Sequence, residues 1–234
     1  MPTAIDRQTT LGADAPSSTG GSAGRKVSRL FPLEVEVHDT PAGLERALRE
    51  KITSGSTARL LASYGRKWKT EGVGLPHQLP GHLMDFCEEH SVDGEDRVWS
   101  KIWNYVPKGS DYTHFIQAVP GSKMAGDQLC EVGCPYVVRG FDFDYVGLLW
   151  LSDLKWRSGK WVIDTDHVFE RGVRRLISAA LHEDDDSGPA HAALLRATQE
   201  AYRILLTRPL KGVFIWCEDD ETRTHLEQAL RIRA

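Results

Sequence analysis

Residues 139–151 read Arg-Gly-Phe-Asp-Phe-Asp-Tyr-Val-Gly-Leu-Leu-Trp-Leu, a glycine loop running straight into an apolar segment. Tyr145–Leu151 carries no charge, the pattern of a strand buried on both faces. Val132–Val138 has the same character, so two buried strands are expected to flank the Gly140 loop. A further buried strand is expected at Ala58–Tyr64 and a last one at Val213–Cys217.

Helices are expected between these strands. One starts at about Pro41, where Thr40 can cap it and proline at the first helical position needs no N–H partner. Its Leu44, Ala47 and Leu48 share one face. Others are expected from about Val168 to Leu181, from about Ala190 to Leu205, and from a cap at Asp219 or Asp220 to about Arg231. Trp156–Trp161 reads as a hairpin turning at Gly159, and Glu183–Asp186 as a solvated acidic linker. Residues 65–130 scatter Gly, Pro and charge among aromatics with no clear period, and are taken as an irregular insertion. Residues 1–28, with Ser17–Gly24 all small and polar, are too poor in apolar residues to pack and are expected to be a disordered tail. Strands alternating with helices define a layered α/β domain over 29–234 with a mainly parallel sheet.

Composition narrows the function. With 41% hydrophobic residues and seven Trp, the chain can bury a sizeable core. Twenty-nine Lys and Arg against 33 Asp and Glu leave a net charge of −4, so any nucleic-acid contact must be local. The longest apolar run, near Val146–Leu151, falls far short of the roughly 20 residues that span a bilayer. The first residues lack the apolar core of a secretory signal, which points to the cytoplasm.

Two segments carry the chemistry: Arg139–Gly147, and Leu205-Leu206-Thr207-Arg208-Pro209-Leu210-Lys211-Gly212. In order and residue type they resemble the last two signature motifs of superfamily 1 helicases, closest to the Schlafen group 3-like DNA/RNA helicase domain. The resemblance runs from about Ala58 to Glu227 and implies a three-layer RecA-like second lobe. It implies that Arg208 is a catalytic finger that stabilises charge on a transferring phosphoryl group. It also implies that Arg139, Gly140, Asp142 and Thr207 approach a nucleotide, ATP with Mg2+. In the family the first motif usually reads Gln-Gly-Phe-Glu-Phe-Asp, whereas Arg139 and Asp142 stand here for Gln and Glu. Pro209 replaces a residue that is more often small. The 234 residues contain no Gly-x-x-x-x-Gly-Lys-Ser/Thr loop to hold phosphates, so the nucleotide is expected to depend on a partner lobe that carries one.

The Gly140 loop is expected at the carboxyl edge of the sheet, where ligands of open α/β folds bind. The plainer structural alternative is a tight turn with Phe141 and Phe143 inward and both aspartates outward. Arg59 and Tyr64 match the run that opens this lobe in the family, and Trp103-Asn104 is similar to a Trp-Asn pair in its insertion. Lys67, Trp68 and Lys69, with Arg66, form the best local candidate for single-stranded DNA or RNA, the cations for phosphates and the aromatics for bases. A non-catalytic nucleic-acid or protein-binding module is the alternative function. Two rival chemistries are open to test. Cys87, His90, Cys130 and Cys134 have spacings a tetrahedral zinc site could use, although free Cys is commonly buried as a small hydrophobe. Asp142, Asp144 and Asp153 are the residues a nuclease-type metal cluster would need.

Overall fold

The computed structural model of the chain describes residues 26–30, 33–92, 95–111, 113–183 and 188–232. The strands are β1 (Lys26–Leu30), β2 (Leu33–His38), β3 (Ala58–Ala62), β4 (Phe86–Val92), β5 (Glu95–Trp103), β6 (Glu131–Gly133), β7 (Phe143–Trp150), β8 (Leu154–Arg157), β9 (Lys160–Ile163) and β10 (Pro209–Cys217). The helices are α1 (Pro41–Thr53), α2 (Thr113–Gln117), α3 (Lys123–Gly126), α4 (Arg174–Ala180), α5 (Pro189–Leu206) and α6 (Asp220–Ile232). Eight strands form one sheet in the order β1-β2-β10-β7-β3-β6-β5-β4. Its inner pairings, from β2·β10 through β6·β5, are parallel, and only the outermost strand at each edge is antiparallel.

β7 is central because its sequence allows both faces to be covered. Every residue of it except Asp144 is buried. On one face, α1 presses Leu44 and Leu48 onto Gly147, where a Cβ would come within 2.5 Å of Leu48 Cδ1. On the other, Tyr202 of α5 stacks on Trp150 with ring centroids 4.2 Å apart. Helices on both faces of a mainly parallel sheet make the expected three-layer RecA-like domain. α1 starts as expected, with Thr40 accepting from the Gly43 N–H at 3.0 Å. The β8–β9 hairpin turns through Ser158 and Gly159, both at positive φ, the geometry of a type I′ turn.

Several boundaries fall elsewhere. β1 takes in the last residues of the stretch read as a tail, and the acidic run Asp184–Asp186 lies outside the described residues, as do residues 1–25. The strand expected over Val132–Val138 ends at Gly133. Cys134, Val137 and Val138 are apolar because the turn that follows is itself buried. The helix expected from Val168 begins only at Arg174, since Phe169 N–H is held by the carbonyl of Tyr64 at 2.8 Å and two 3-10 turns precede it. The insertion is irregular in its connections but contains the β4–β5 hairpin. Glu95–Val98 is exposed on both faces, so the first half of β5 carries no period of two. Buried Asp85 organises the rest, accepting from the N–H groups of Lys69, Thr70 and Trp103 at 2.6, 3.0 and 2.8 Å.

Candidate functional site

The two motif segments meet. Phe143 N–H donates to the Arg208 carbonyl at 3.0 Å, and Arg208 Nη1 lies 3.3 Å from Asp142 Oδ1. Arg208 Nη2 donates to Thr207 Oγ1 at 3.3 Å, while that hydroxyl donates to the Ile204 carbonyl at 3.0 Å at the end of α5. Arg208 Nε is buried and makes no hydrogen bond, so the guanidinium is held at one end only. Next to this pair, Lys211 Nζ lies 3.1 Å from Asp144 Oδ1. Asp144 also accepts from the Thr57 N–H at 2.9 Å, and that bond, more than Lys211, holds its carboxyl below the usual range.

This cluster sits at the amino edge of β7 and β10, opposite to the expectation. β6 ends with Gly133 level with Leu61 of β3, and residues 134–142 run back along the sheet so that parallel β7 can begin. The glycine itself is required at the reversal, where Gly140 adopts φ +79°. Phe143 is buried but Phe141 is exposed, so only one of the two phenylalanines packs inward. Arg139 points away from Arg208's partners. Its Cζ lies 4.6 Å from the Tyr136 ring centroid, and it lines a cavity of about 200 Å³ beside α5.

That cavity shares Tyr64, Tyr136 and Glu170 with a larger groove at the carboxyl edge, of about 690 Å³, lined also by Lys67, Trp68, Phe169, Arg171, Arg174, Glu71 and Asp111. Tyr136 and Phe169 are 42% and 41% exposed. Aromatic faces open to water beside cations are what a single strand needs for stacking and phosphate contact. Lys67 and Arg174 are exposed and make no ion pair with another of the described residues. Arg171 pairs with Glu71. Arg66 is committed to Glu88 and Glu218, each at 2.6 Å. Lys69 is exposed on the same segment, Trp68 packs on buried Trp103, and Tyr64 donates its hydroxyl to Cys134 Sγ at 3.0 Å. Tyr136, Phe169, Arg171 and Arg174 were not singled out in the sequence, because each is distant from Lys67 in the chain and lies in no motif.

The structure bears on Arg59 and Trp103 and on both rival chemistries. Arg59 is buried, bonded to the Ala58 carbonyl and Gln128 Oε1, and wedged between the Phe115 and Phe143 rings. Burial lowers its pKa to about 10, and it is out of reach of a bound strand. Trp103 is likewise core. Among the described residues, Cys87, His90, Cys130 and Cys134 form no metal-sized cluster; Cys134 is occupied by Tyr64, and Cys87 and His90 lie on β4. Asp142 and Asp144 are at the start of β7 and Asp153 follows its other end, roughly 25 Å away at the rise of a strand. They cannot share a metal.

The chain is thus a RecA-like α/β domain with an arginine–aspartate cluster at one sheet edge and, at the other, an aromatic groove of mixed charge in which Glu71, Asp111 and Glu170 stand beside the cations. More specifically, the chain belongs to the Schlafen group 3, DNA/RNA helicase domain family, whose model matches residues 21–219. It is also similar to the uncharacterized protein YPL245W of Saccharomyces cerevisiae, at 19% identity over 207 residues, or 88% of this chain and 39% of that protein. The chain thus spans about two fifths of that relative's length. No solved structure matches it. No helix among the described residues is long and apolar enough to cross a membrane.

Proposed function

We propose that the chain is the second lobe of a helicase-type NTPase, supplying Arg208 to ATP with Mg2+ bound mainly by a partner lobe that carries the phosphate loop. The observation that carries this reading is the Arg208–Asp142 contact of 3.3 Å, which joins the two motif segments at one edge. In the isolated lobe Asp142 and Thr207 hold the guanidinium in place. An ion pair this exposed is worth at most ~1 kcal/mol, so a triphosphate docked against the edge can take the arginine over at little cost. There the guanidinium would stabilise charge on the equatorial oxygens of the transferring phosphoryl group. Asp142, released, would be free to accept from a nucleotide hydroxyl.

The test is reconstitution. The chain alone is expected to hydrolyse no ATP; mixed with a phosphate-loop lobe of the same family it is expected to do so. Arg208→Ala should then lower turnover by ~10³-fold or more, the range for lost arginine fingers. Turnover unchanged in that variant would remove Arg208 from the chemistry.

The groove favours a second reading, a nucleic-acid-binding module that needs no nucleotide. Its cations and open aromatic faces are already in place without a partner lobe. Binding of single strands in the absence of ATP supports this reading. Strict dependence of binding on ATP and the partner lobe supports the first.

A further inference from the structure

His77, Cys130 and Glu131 converge where the insertion meets the sheet. His77 lies in the 3-10 turn Pro76–Gln78, and Glu131 opens β6. His77 Nε2 is 3.3 Å from Glu131 Oε2, and one ligand atom from each of the three residues lies within 4.8 Å of the others. The Glu131 side chain is only 3% exposed, yet its other oxygen, Oε1, has no hydrogen-bond partner. A buried polar atom left without a partner costs about 1–3 kcal/mol, more when charged. Arg59 faces both Cys130 and Glu131, and Lys101 faces the cysteine. Neither gives Oε1 a hydrogen bond: Arg59 donates to Ala58 and Gln128, and Lys101 to Glu45. His77 and Glu131 also line a cavity of about 120 Å³ together with Tyr105 and His114.

We infer that His77, Cys130 and Glu131 bind one zinc ion. Imidazole nitrogen, thiolate sulfur and carboxylate oxygen are the donors zinc takes in four-coordinate sites. Tetrahedral bonds of about 2.0–2.3 Å put neighbouring donors about 3.3–3.7 Å apart; the His77–Glu131 pair is already at 3.3 Å, and the Cys130 sulfur, within 4.8 Å of both, closes on the ion by turning its side chain. Thiolate and carboxylate together cancel the charge of the ion, and the sulfur disfavours Mg2+ and Ca2+. His77 and Glu131 line the cavity although Cys130 does not, so a water completing the coordination would enter from the His77–Glu131 side. Such an ion ties the segment after β3, which carries Lys67 and Trp68, to the start of β6, and so fixes one wall of the groove.

The experiment uses the full chain, stripped with a chelator and titrated with Zn2+ against a chromophoric competitor, and separately with Co2+ as an optical probe. The expected result is one zinc per chain and a tetrahedral cobalt spectrum with a thiolate charge-transfer band. Cys130→Ser should abolish the band, and both it and His77→Ala should weaken zinc by more than the ~10–100-fold that loss of an outer partner costs. Cys87→Ser and His90→Ala should bind as the parent does. Circular dichroism checks that each variant is folded; if Cys130→Ser is not, the partly exposed His77→Ala decides. Sub-stoichiometric zinc, a cobalt band that survives Cys130→Ser, or full affinity in His77→Ala overturns the site.

Discussion

Asp153 carries a carboxyl at the end of β7 that is almost wholly enclosed. Tyr202 donates its hydroxyl to Asp153 Oδ1 at 2.7 Å. A Cβ on Gly65 would stand 2.8 Å from the same oxygen, so only glycine lets the chain pass over it. Burial outweighs the Tyr202 and Ser63 hydrogen bonds and pushes the Asp153 pKa up to about 6. An unfolded aspartate titrates near 3.9. Between those values the folded chain keeps a proton that the unfolded chain has released, so stability falls as pH rises. The favourable contribution is complete below about pH 4 and is lost as pH passes through about 6. Asp153→Asn removes this term. Urea unfolding at pH 4 and pH 7 should show the parent losing roughly 2–3 kcal/mol relative to the variant. Carboxyls held low, such as Asp219 and Glu218, titrate further toward acid and are common to both chains. An identical pH dependence in the two proteins would mean that Asp153 ionises at its ordinary value.

The central strand shows how tightly an element can depend on one position. A Cβ at Gly147 would meet Leu48 Cδ1, Leu44 Cδ2 and Leu60 Cδ2 at 2.5, 2.7 and 2.9 Å. All three leucines, two on α1 and one on β3, are fully buried, so their methyl ends must turn into an already packed core or α1 must shift. Overpacking of this kind costs about 1–3 kcal/mol. Gly147→Ala should lower stability by that amount in chemical denaturation, and Gly147→Val by more; a neutral Gly147→Ala would show that α1 is loosely seated. Elements of this type were legible in the sequence, because burial on both faces leaves an unbroken apolar run in β7 and a capped, one-sided helix leaves Thr40-Pro41 and Leu44, Ala47, Leu48. Less was legible where local pattern and tertiary role part company. Val137 and Val138 are apolar because a turn is buried, and Trp103 is a core residue within a stretch that lacks any period. The motif segments announced Arg208 and Asp142, but not which sheet edge they occupy. That edge depends on how far residues 134–142 travel after β6, a matter of topology rather than of residue type.

On the scale of the whole molecule, a net charge of −4 means that a nucleic acid cannot be drawn in by a general field. On the proposed reading, binding would rest on the carboxyl-edge groove, where exposed Lys67 and Arg174 stand near Tyr136 and Phe169. Cations and aromatics contribute in separable ways. Each phosphate neutralised on a single strand adds about 0.7 to the slope of log affinity against log salt, whereas a stacked base adds ~1–3 kcal/mol with little salt dependence. Anisotropy of a labelled single-stranded oligonucleotide, measured over a range of salt, should therefore distinguish the two. Lys67→Ala with Arg174→Ala should flatten the slope by roughly 1.4. Phe169→Ala should weaken binding by ~1–3 kcal/mol at every salt concentration and leave the slope unchanged. Arg208→Ala, at the opposite edge, should alter neither quantity without nucleotide, because Arg208 lies beside Asp142 and not in the groove. If the charge-removing pair leaves the slope intact, the strand does not run through this groove and the proposed nucleic-acid site is wrong.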